Sequence, residues 1–239
     1  MLYFVHLLNN VNYFMRTGII IQARSGSRRL KNKIFEKIYK KTIIEHVIFQ
    51  VKKTNFKKII IVATSKNKKD RKILKYTKKE KVNFFSGPES NVLKRFYQAA
   101  KFYKLDIIIR ISADSPLIDY NIINDFYKIF KKHHYSYVSN LIKRTYPKGM
   151  SVEIFDFKML EKLYKKEKSK FGKEHVTSYI IKNHKNFKTK NITLKNNFRN
   201  INLSVDTKED LEYCKKVYKR ITNKRKFYLN KLLKIAKNI

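Results

Sequence analysis

The sequence predicts an α/β fold built on a doubly wound, mainly parallel β-sheet. Apolar runs at residues 19–22, 58–63 and 106–112 have polar boundaries, which is typical of strands buried on both faces. Amphipathic helical patterns, such as the one over residues 92–103, lie between these runs. Strands and helices that alternate in this way form parallel sheets with right-handed crossovers, and such sheets bind ligands beyond the carboxyl ends of their strands.

The first half of the chain reads as strand, loop and helix, followed by further strands and helices. A basic loop over residues 23–33 joins the first strand to a helix that opens with the capping box Thr42 and Glu45. The next predicted elements are a helix over 70–80, a strand over 82–85 and a helix over 92–103 with Glu89 in its first turn.

The second half mixes shorter elements. The predicted strands cover 135–140, 149–155, 188–194 and 201–205, and the predicted helices cover 156–168, 174–183, a segment capped by Thr207 and Asp210, and a last segment that contains Leu229. Because no Gly/Ser/Pro linker interrupts the chain, we predict one domain over residues 15–239. Residues 1–14 are expected to be an extension, or the result of a misassigned start that should be Met15.

Composition excludes several classes of protein. The chain has 239 residues, a formal net charge of +39 and one cysteine, Cys214, so an internal disulfide framework is excluded. No run reaches the roughly 18 apolar residues of a membrane span, and we expect a soluble, cytoplasmic protein with no membrane partner. The lysines are spread over the whole chain, which favours a compositional bias over specific nucleic-acid binding. A polyanion-binding protein is the non-enzymatic alternative.

The basic loop carries groups that can hold a triphosphate. Its cations are Arg24, Arg28, Arg29, Lys31 and Lys33, its hydroxyl groups are Ser25 and Ser27, and Gly26 lets the backbone approach a ligand. Backbone N–H groups in such a turn can form an anion-binding concavity. The alternative interpretation is a solvated basic loop, because lysine and arginine occur throughout the chain.

Two aspartates directly follow predicted strands. Asp114 comes after the run 106–112, and Asp206 comes after the run 201–205. Carboxylates at neighbouring strand ends suit Mg²⁺, which takes one or two carboxylates together with substrate phosphates and water. Opposite a phosphate-binding loop, this arrangement suits nucleotide transfer. The alternatives are a turn residue before Pro116 for Asp114 and a helix N-cap for Asp206.

Other classes of site lack their motifs. The chain has no G-x-x-x-x-G-K-[ST], no G-x-G-x-x-G and no serine nucleophile elbow. The six histidines show no metal-ligand spacing. His175 suits a structural or interface position, or a contact with a substrate.

One stretch resembles a known family. The loop QARSGSRRLKNK is similar to the Q-A-R-x-G-S-x-R-L-P-x-K loop of the sugar cytidylyltransferases, within the spore coat polysaccharide biosynthesis branch. That branch is related to the enzymes that activate 3-deoxy-manno-octulosonate and N-acylneuraminate. The similarity continues in order over nearly all of residues 17–220, through GPESNVLKRFYQAA, IIRISADSPLID, RTYPKGMSVEIF, KEHVTSYI and VDTKEDLE.

The resemblance implies a fold and an activity. The fold is the Rossmann-like one of the nucleotide-diphosphosugar transferase type. The activity is Mg²⁺-dependent transfer of CMP from CTP to a surface-polysaccharide sugar, of which 3-deoxy-octulosonate and nonulosonate type acids are examples, with release of pyrophosphate. A homodimer is also implied, with a sugar-side and dimerisation segment around residues 135–185. A nucleotide-sugar-dependent glycosyltransferase is the alternative enzyme, because related folds bind sugar nucleotides.

The resemblance also implies roles for single residues. Arg24, Lys33, Asp114 and Asp206 would be catalytic, and the two aspartates would ligate Mg²⁺. The nucleotide would be bound by Gln22, Ala23, Arg24, Ser25, Gly26, Ser27, Arg28, Lys33 and Asp114, with Thr64 and Ser65 near its cytosine and ribose. The sugar side or the dimer interface would be lined by Arg144, Tyr146, Glu153 and His175.

Some positions depart from the family pattern. Lys31 and Asn32 replace the usual Pro-Gly, Asn91 and Ser151 stand where Asp is common, and Ala113 stands where Gly is common. By the resemblance, Ser151 lies in a segment that contacts the sugar. The replacement of the common Asp by Ser151 therefore bears most on which sugar is accepted.

Overall fold

A mainly parallel sheet forms the centre of the computed structural model, which describes residues 15–27, 29–221 and 228–239. The strands are β1 (Thr17–Gln22), β2 (Lys37–Ile38), β3 (Lys41–Thr42), β4 (Ile59–Ser65), β5 (Asn83–Gly87), β6 (Ile107–Ser112), β7 (Tyr137–Ser139), β8 (Glu153–Asp156) and β9 (Thr189–Asn191). Within the described residues seven of them form one sheet in the order β5-β4-β1-β6-β8-β7-β9. Residues 1–14, which were predicted to be an extension or the result of a misassigned start, lie outside the described residues.

Parallel pairing joins the strands of the first half. β1 pairs in parallel with β4 on one side and with β6 on the other, and β4 pairs in parallel with β5. β8 is antiparallel to both β6 and β7, so the second half extends the same sheet with a reversed strand. These pairings confirm the predicted α/β class and its mainly parallel sheet.

Helices cover both faces of the sheet. They are α1 (Ile43–Lys52), α2 (Lys72–Lys79), α3 (Val92–Phe102), α4 (Tyr120–His133), α5 (Phe157–Lys166), α6 (Lys170–Glu174), α7 (Ser178–Lys182), α8 (Lys208–Arg220) and α9 (Leu229–Lys237). Both predicted capping boxes are present, at Thr42 with Glu45 and at Thr207 with Asp210. Each box satisfies N–H groups that have no partner within the first turn of the helix.

The alternation of side chains along β1 explains why the sheet has two cores. Ile19 and Ile21 are buried in a cluster with residues of α1, α4, α8 and α9, whereas Ile20 is buried in a second cluster with residues of α3 and α5. A strand points successive side chains to opposite faces, so a continuous apolar run serves both clusters. Cys214 is buried in the first cluster, as its helical spacing predicts.

Several elements differ from the sequence prediction in type or in length, among them the two shorter strands β8 and β9. Residues 201–205 are not a strand, because the segment makes only an isolated parallel bridge between Asn202 and Lys148. The Asn202 side chain accepts hydrogen bonds from the backbone N–H and the hydroxyl of Ser204, which competes with ladder formation. The predicted helix over 174–183 is shorter in the structure, where α7 covers only Ser178–Lys182. Glu174 is instead the last residue of α6, whose N-cap Ser169 accepts a hydrogen bond from Gly172 N–H.

The predicted position of Glu89 in the first turn of a helix is wrong. α3 begins at Val92, and its N-cap is Asn91, whose side chain accepts a hydrogen bond from Lys94 N–H. Glu89 therefore precedes the helix. Over the described ranges no helix has the length and apolar character needed to cross a bilayer.

Gly149 occupies a tight turn beside the segment 201–205. Its φ is +87°, and an added Cβ would lie 2.5 Å from both the carbonyl carbon and the oxygen of Leu203. Lys148 holds that segment through two backbone hydrogen bonds, from Lys148 N to Ile201 O at 3.0 Å and from Leu203 N to Lys148 O at 2.9 Å. Only glycine has the conformational freedom and the small volume that this contact requires.

We expect Gly149→Ala to lower the free energy of unfolding by about 1–3 kcal/mol, because strain and a backbone clash act together. Urea denaturation of the full chain measures this change. Gly26→Ala is the matched control, since a Cβ at Gly26 would meet no heavy atom within 4 Å, and its effect should stay within about 0.5 kcal/mol. Equal stability of the two variants would contradict the assignment of strain to Gly149.

Candidate functional site

The loop after β1 is held in place by a buried aspartate, Asp70. Its Oδ1 accepts hydrogen bonds from both the backbone N–H and the hydroxyl of Ser25, each at 2.6 Å, and its Oδ2 accepts from the hydroxyl of Ser65. Burial raises the pKa of Asp70, but the hydrogen bonds from Ser25 and Ser65 outweigh it, so this pKa lies below its ordinary value. The anchored carboxylate fixes the position where the loop leaves the sheet.

Several residues expected near the nucleotide lie behind this loop. Ala23, Ser25, Thr64 and Ser65 are all at least 95% buried, with exposures of 1%, 4%, 0% and 2%. The Ser25 and Ser65 hydroxyls are both used by Asp70. These four residues therefore shape and support the loop, while other residues face the space in front of it. Arg28 lies outside the described residues.

A crevice of about 670 Å³ opens in front of the loop, beyond the carboxyl ends of β1 and β6. It is lined by Gln22, Arg24, Gly26, Ser27, Arg29, Lys33, Ile34, Glu89, Ser112, Ala113, Asp114, Glu174 and Asp206. We call this space the loop chamber. The structure thus brings Arg24, Arg29 and Lys33 of the loop together with Asp114 at the end of β6, as the rule for parallel sheets predicts. Asp206 also lines this space, although the segment before it is not the predicted strand.

Lys33 joins the two aspartates at the floor of the chamber. Its Nζ lies 2.9 Å from Asp114 Oδ2 and 2.6 Å from Asp206 Oδ1. Lys33 is 92% buried, with a residue exposure of 8%, whereas the two carboxylates keep 26% and 37% of their side-chain surface exposed. The carboxylates therefore share one ammonium group and still face the open space.

Separate backbone contacts position each aspartate. Asp114 follows β6, and its carbonyl accepts a hydrogen bond from Val205 N–H at 2.9 Å, which places Asp206 next to it. The Asp206 N–H then donates to Asp210 Oδ2, the same oxygen that closes the capping box of α8. Asp206 directly precedes Thr207, the N-cap of α8, and is thus fixed by the start of this helix.

The surroundings of Asp206 are strongly cationic. Burial raises the pKa of Asp206, but Lys33 counters it through a hydrogen bond and its charge, and Arg29 and Lys148 add to that effect, so this pKa lies below its ordinary value. The Arg29 guanidinium lies 3.1 Å from Asp206 Oδ2. Asp206 is therefore an anion at neutral pH, surrounded by three positively charged side chains.

A second, smaller space of about 300 Å³ lies on the other side of the aspartates. It is lined by Arg110, Ser112, Asp114, Ser115, Leu141, Arg144, Lys148, Gly149, Ser151, Glu153, Ser204 and Asp206. We call it the far chamber. Ser112, Asp114 and Asp206 line both chambers, so the two spaces meet at the aspartates.

The four residues expected on the sugar side divide into two pairs. Arg144 and Glu153 line the far chamber, and Arg144 Nη2 donates to the Ser151 hydroxyl at 2.8 Å. Tyr146 is instead buried against Phe126 in the core cluster next to α4. His175 is exposed at the end of α6, where its ring lies 4.4 Å from that of Phe171.

Arg110 is a site residue that the sequence reasoning missed. Its Nη1 donates to Glu153, and its Nε and Nη2 both donate to Gln22 Oε1, at 3.2 and 2.9 Å. Glu153 is almost fully buried and accepts further hydrogen bonds from Tyr137 and Thr177. A lone arginine inside the apolar run IIIRIS was the available signal, because a charged residue within a buried strand requires a partner.

The donor set fits a divalent cation of the hard, oxygen-seeking type. In the part of the chain that the structure describes, no group of three or more His, Cys, Asp or Glu residues could hold a metal ion, so the candidates are the carboxylates of Asp114 and Asp206. Two carboxylates that face open space, and between which an ammonium group already sits, provide a place for a positive charge. Mg²⁺ characteristically completes such a pair with water and substrate phosphates.

We expect Asp70→Asn to loosen the loop, because an amide has one acceptor oxygen where the carboxylate uses two. The free energy of unfolding should fall by about 1–3 kcal/mol at pH 7, and the Ser25 amide should exchange faster with deuterium. Hydrogen exchange and urea denaturation measure both effects, with the exposed Asp125→Asn as control. Unchanged exchange at Ser25 would contradict the anchoring role.

The same anchor predicts a dependence on pH. Because the folded-state pKa of Asp70 is lowered, its contribution is complete above the unfolded value of about 3.9 and is lost as the pH falls through the folded-state pKa. The stability difference between wild type and Asp70→Asn should therefore shrink on acidification below about pH 4. A difference that grows at low pH would contradict this sign.

Comparisons with known proteins agree with the geometry. An uncharacterised protein of Methanocaldococcus jannaschii is 43% identical over 171 residues, which cover 71% of this chain and 68% of that protein. The spore coat polysaccharide biosynthesis protein SpsF of Bacillus subtilis is 26% identical over 213 residues, which cover 84% of this chain and 85% of SpsF. A solved structure of a cytidylyltransferase from Leptospira borgpetersenii serovar Hardjo-bovis covers 94% of both chains, with a TM-score of 0.90 and 31% identity.

A family model described as cytidylyltransferase matches residues 18–239. The match contains the loop, both aspartates and every residue that lines the far chamber. It confirms the family that the loop motif indicated and, with it, a nucleotidyltransferase enzyme. The chain belongs to the cytidylyltransferase family.

Proposed function

We propose that this enzyme transfers CMP from CTP to an acidic sugar used for a surface polysaccharide, with release of pyrophosphate. The observation that carries the proposal is the position of Asp114 and Asp206, joined by Lys33, where the loop chamber and the far chamber meet. A nucleotidyl transfer needs the attacking hydroxyl and the departing pyrophosphate on opposite sides of one phosphorus. The name of SpsF, a spore coat polysaccharide biosynthesis protein, supports a polysaccharide sugar as the acceptor.

The loop chamber is suited to the triphosphate. Arg24 and Arg29 line it, each more than half exposed at the side chain, with 51% and 68%. Gly26 and Ser27 lie between them and present the backbone of the loop. Guanidinium groups bind phosphate oxygens through paired, charge-assisted hydrogen bonds. The loop would thereby hold the β- and γ-phosphates and stabilise the charge on the departing pyrophosphate.

Asp114 and Asp206 would hold Mg²⁺. When bound, this ion would offset the negative charge of the phosphates and help to orient them. Lys33 would then leave the carboxylates, and its ammonium group would lie beside the triphosphate, because Lys33 lines the loop chamber. The two aspartates would therefore exchange the ammonium group of Lys33 for the metal ion.

The far chamber is suited to an anionic acceptor. Glu153 is held by Arg110, Tyr137 and Thr177, which leaves Arg144 and Lys148 as the cations of this chamber that form no ion pair within 4 Å in the described residues. Burial lowers the pKa of Arg144, against the opposing influence of Glu153. A partly desolvated guanidinium gains from an anionic partner, so we assign the carboxylate of the sugar to Arg144.

In the proposed reaction the acceptor hydroxyl attacks the α-phosphorus of CTP. A bond forms between the sugar oxygen and this phosphorus, the bond to the bridging oxygen of the β-phosphate breaks, and the hydroxyl proton is released. The two chambers hold the attacking and leaving oxygens on opposite sides of the α-phosphate, which reduces the entropic part of the barrier.

The homodimer and the cytoplasmic location remain predictions of the sequence.

We expect selective binding of CTP over ATP, GTP and UTP at about 0.3 M salt, a concentration chosen to screen non-specific charge attraction. Isothermal titration calorimetry with and without Mg²⁺ measures this selectivity without knowledge of the sugar. Equal binding of all four nucleotides that disappears with salt would instead support the polyanion-binding alternative.

Asp114→Asn and Asp206→Asn should each lower the rate of pyrophosphate release by at least about 100-fold, because each removes a charged ligand from the proposed metal site. The control is Asp125→Asn, at an exposed position of α4. Circular dichroism and urea denaturation test whether the variants are folded. Full activity in either site variant would exclude the metal-binding role.

Arg144→Gln should raise the KM for an acidic sugar by about 10–100-fold, which corresponds to the loss of one charge-assisted hydrogen bond. The assay measures pyrophosphate release with 3-deoxy-manno-octulosonate and N-acetylneuraminate as acceptors. Arg199→Gln, at an exposed position, is the matched control. Turnover of neutral sugars alone would exclude the acidic class, and an unchanged KM in Arg144→Gln would exclude this residue as its partner.

A further inference from the structure

We infer that Gln22 is a hydrogen-bond donor for the α-phosphate of the nucleotide, and that Arg110 is the positioning residue that orients it. The inference deepens the proposed function and rests on it. Four facts carry it: the contact between Arg110 and the Gln22 amide, the place of Gln22 between the two chambers, the buried partners of Arg110, and the absence of a protein partner for the Gln22 amide nitrogen in the described chain.

The contact with Arg110 determines which way the Gln22 amide faces. Arg110 Nε and Nη2 both lie within hydrogen-bonding distance of Gln22 Oε1, at 3.2 and 2.9 Å. A guanidinium group has five N–H donors and no acceptor, so only the oxygen of an amide can face it. The opposite orientation would place two sets of donors against each other. The Gln22 Nε2 group, with its two N–H donors, must therefore point away from Arg110.

The backbone of Gln22 fixes where those donors can reach. Gln22 is the last residue of β1 and is paired with Ala63 on β4 and with Ser112 on β6. Its carbonyl accepts a hydrogen bond from Ala113 N–H at 3.0 Å, which holds the strand end against the residue before Asp114. Gln22 lines the loop chamber while Arg110 lines the far chamber. The amide thus lies at the boundary of the two spaces.

This boundary is where the proposed reaction takes place. Ser112 and Asp114, which are shared by both chambers, flank the strand end that carries Gln22. In the proposed reaction the α-phosphate occupies this region, with pyrophosphate on the loop side and the sugar on the far side. Its non-bridging oxygens gain negative charge as the sugar oxygen attacks. A neutral donor with a fixed orientation stabilises such charge without reorganisation.

Arg110 is itself held from the opposite side. It pairs across the antiparallel strands with Glu153, and its Nη1 donates to that carboxylate. Glu153 is only 2% exposed and also accepts from the Tyr137 hydroxyl at 2.7 Å and from Thr177. The buried carboxylate therefore has no freedom to release the guanidinium. A continuous set of hydrogen bonds runs from Tyr137 and Thr177 to the Gln22 amide.

Three variants test separately the loss of the Gln22 N–H donor, the introduction of a negative charge at this position, and the loss of the contact with Arg110. Gln22→Leu removes the donor without adding charge, Gln22→Glu keeps an acceptor for Arg110 but presents no N–H, and Arg110→Lys removes the two-pronged contact with Oε1. The control is Gln98→Glu, which makes the same charge change at a partly exposed position of α3. Calorimetry gives the Kd for CTP, and initial rates with the acidic sugar that the enzyme uses give kcat and KM.

We expect Gln22→Leu to lower kcat by about 100-fold, the typical effect of losing one donor to a developing anion, while the Kd for CTP changes by less than about 10-fold. Gln22→Glu should also weaken CTP binding by more than about 10-fold, because a carboxylate would face the phosphate. Arg110→Lys should lower kcat by about 10-fold with a nearly unchanged KM for CTP, a result that a purely structural role would not give.

Wild-type kcat in Gln22→Leu would overturn the inference, whatever the other variants do. A raised KM for the sugar with an unchanged kcat would also overturn it, since the donor would then serve the acceptor. If Arg110→Lys loses stability in urea but keeps its kcat, Arg110 is not a positioning residue. Failure of the proposed function is recognised separately, because wild type and Gln98→Glu would then both fail to bind CTP.

Discussion

The contact of the Lys33 ammonium with Asp114 and Asp206 is the interaction on which the site depends. The three residues come from the basic loop, the end of β6 and the segment before α8. Without a cation between them, two partly buried carboxylates would repel each other. Lys33 compensates this charge from a buried position and so lets two acidic groups from distant parts of the chain lie side by side.

The arrangement of the chambers follows from the order of the strands. β1 and β6 are neighbours, so the loop after β1 and the aspartate after β6 must emerge at the same edge of the sheet. The antiparallel strand β8 then places Glu153 beside Arg110, which closes the far chamber next to that edge. Parallel strands thus deliver the loop and the first aspartate, while the reversed strand delivers the side that we assign to the acceptor.

The sequence predicted the parts of the site that lie at the ends of strands, but it did not predict which side chains contact each other. The convergence of the loop with Asp114 could be predicted, because β1 and β6 are parallel neighbours that share an edge. Asp206 joins them for another reason, since the segment before it is not a strand and is held by the hydrogen bond from Val205 N–H to Asp114 O. The anchoring of Ser25 by Asp70, 45 residues away, could not, since both belong to polar stretches with no periodic signal. Residues 201–205 have the composition of a strand, but the Asn202 side chain accepts local hydrogen bonds from Ser204 that β-propensity does not take into account. The family motif implied that Tyr146 lines the sugar side or the dimer interface, whereas its ring packs against Phe126 in the core cluster.

The backbone hydrogen bonds of Lys148 with residues 201–203 connect the lining of the far chamber to the segment that ends at Asp206. Lys148 belongs to the segment that lines this chamber, and Val205 links the paired segment to Asp114. The 143–151 segment is consequently not an exchangeable module. A segment grafted from a relative would have to keep its backbone hydrogen bonds with residues 201–203, which precede Asp206. If the far chamber takes the acceptor as proposed, its preference and the position of Asp206 should therefore have evolved together, through paired changes in two segments that are far apart in the sequence.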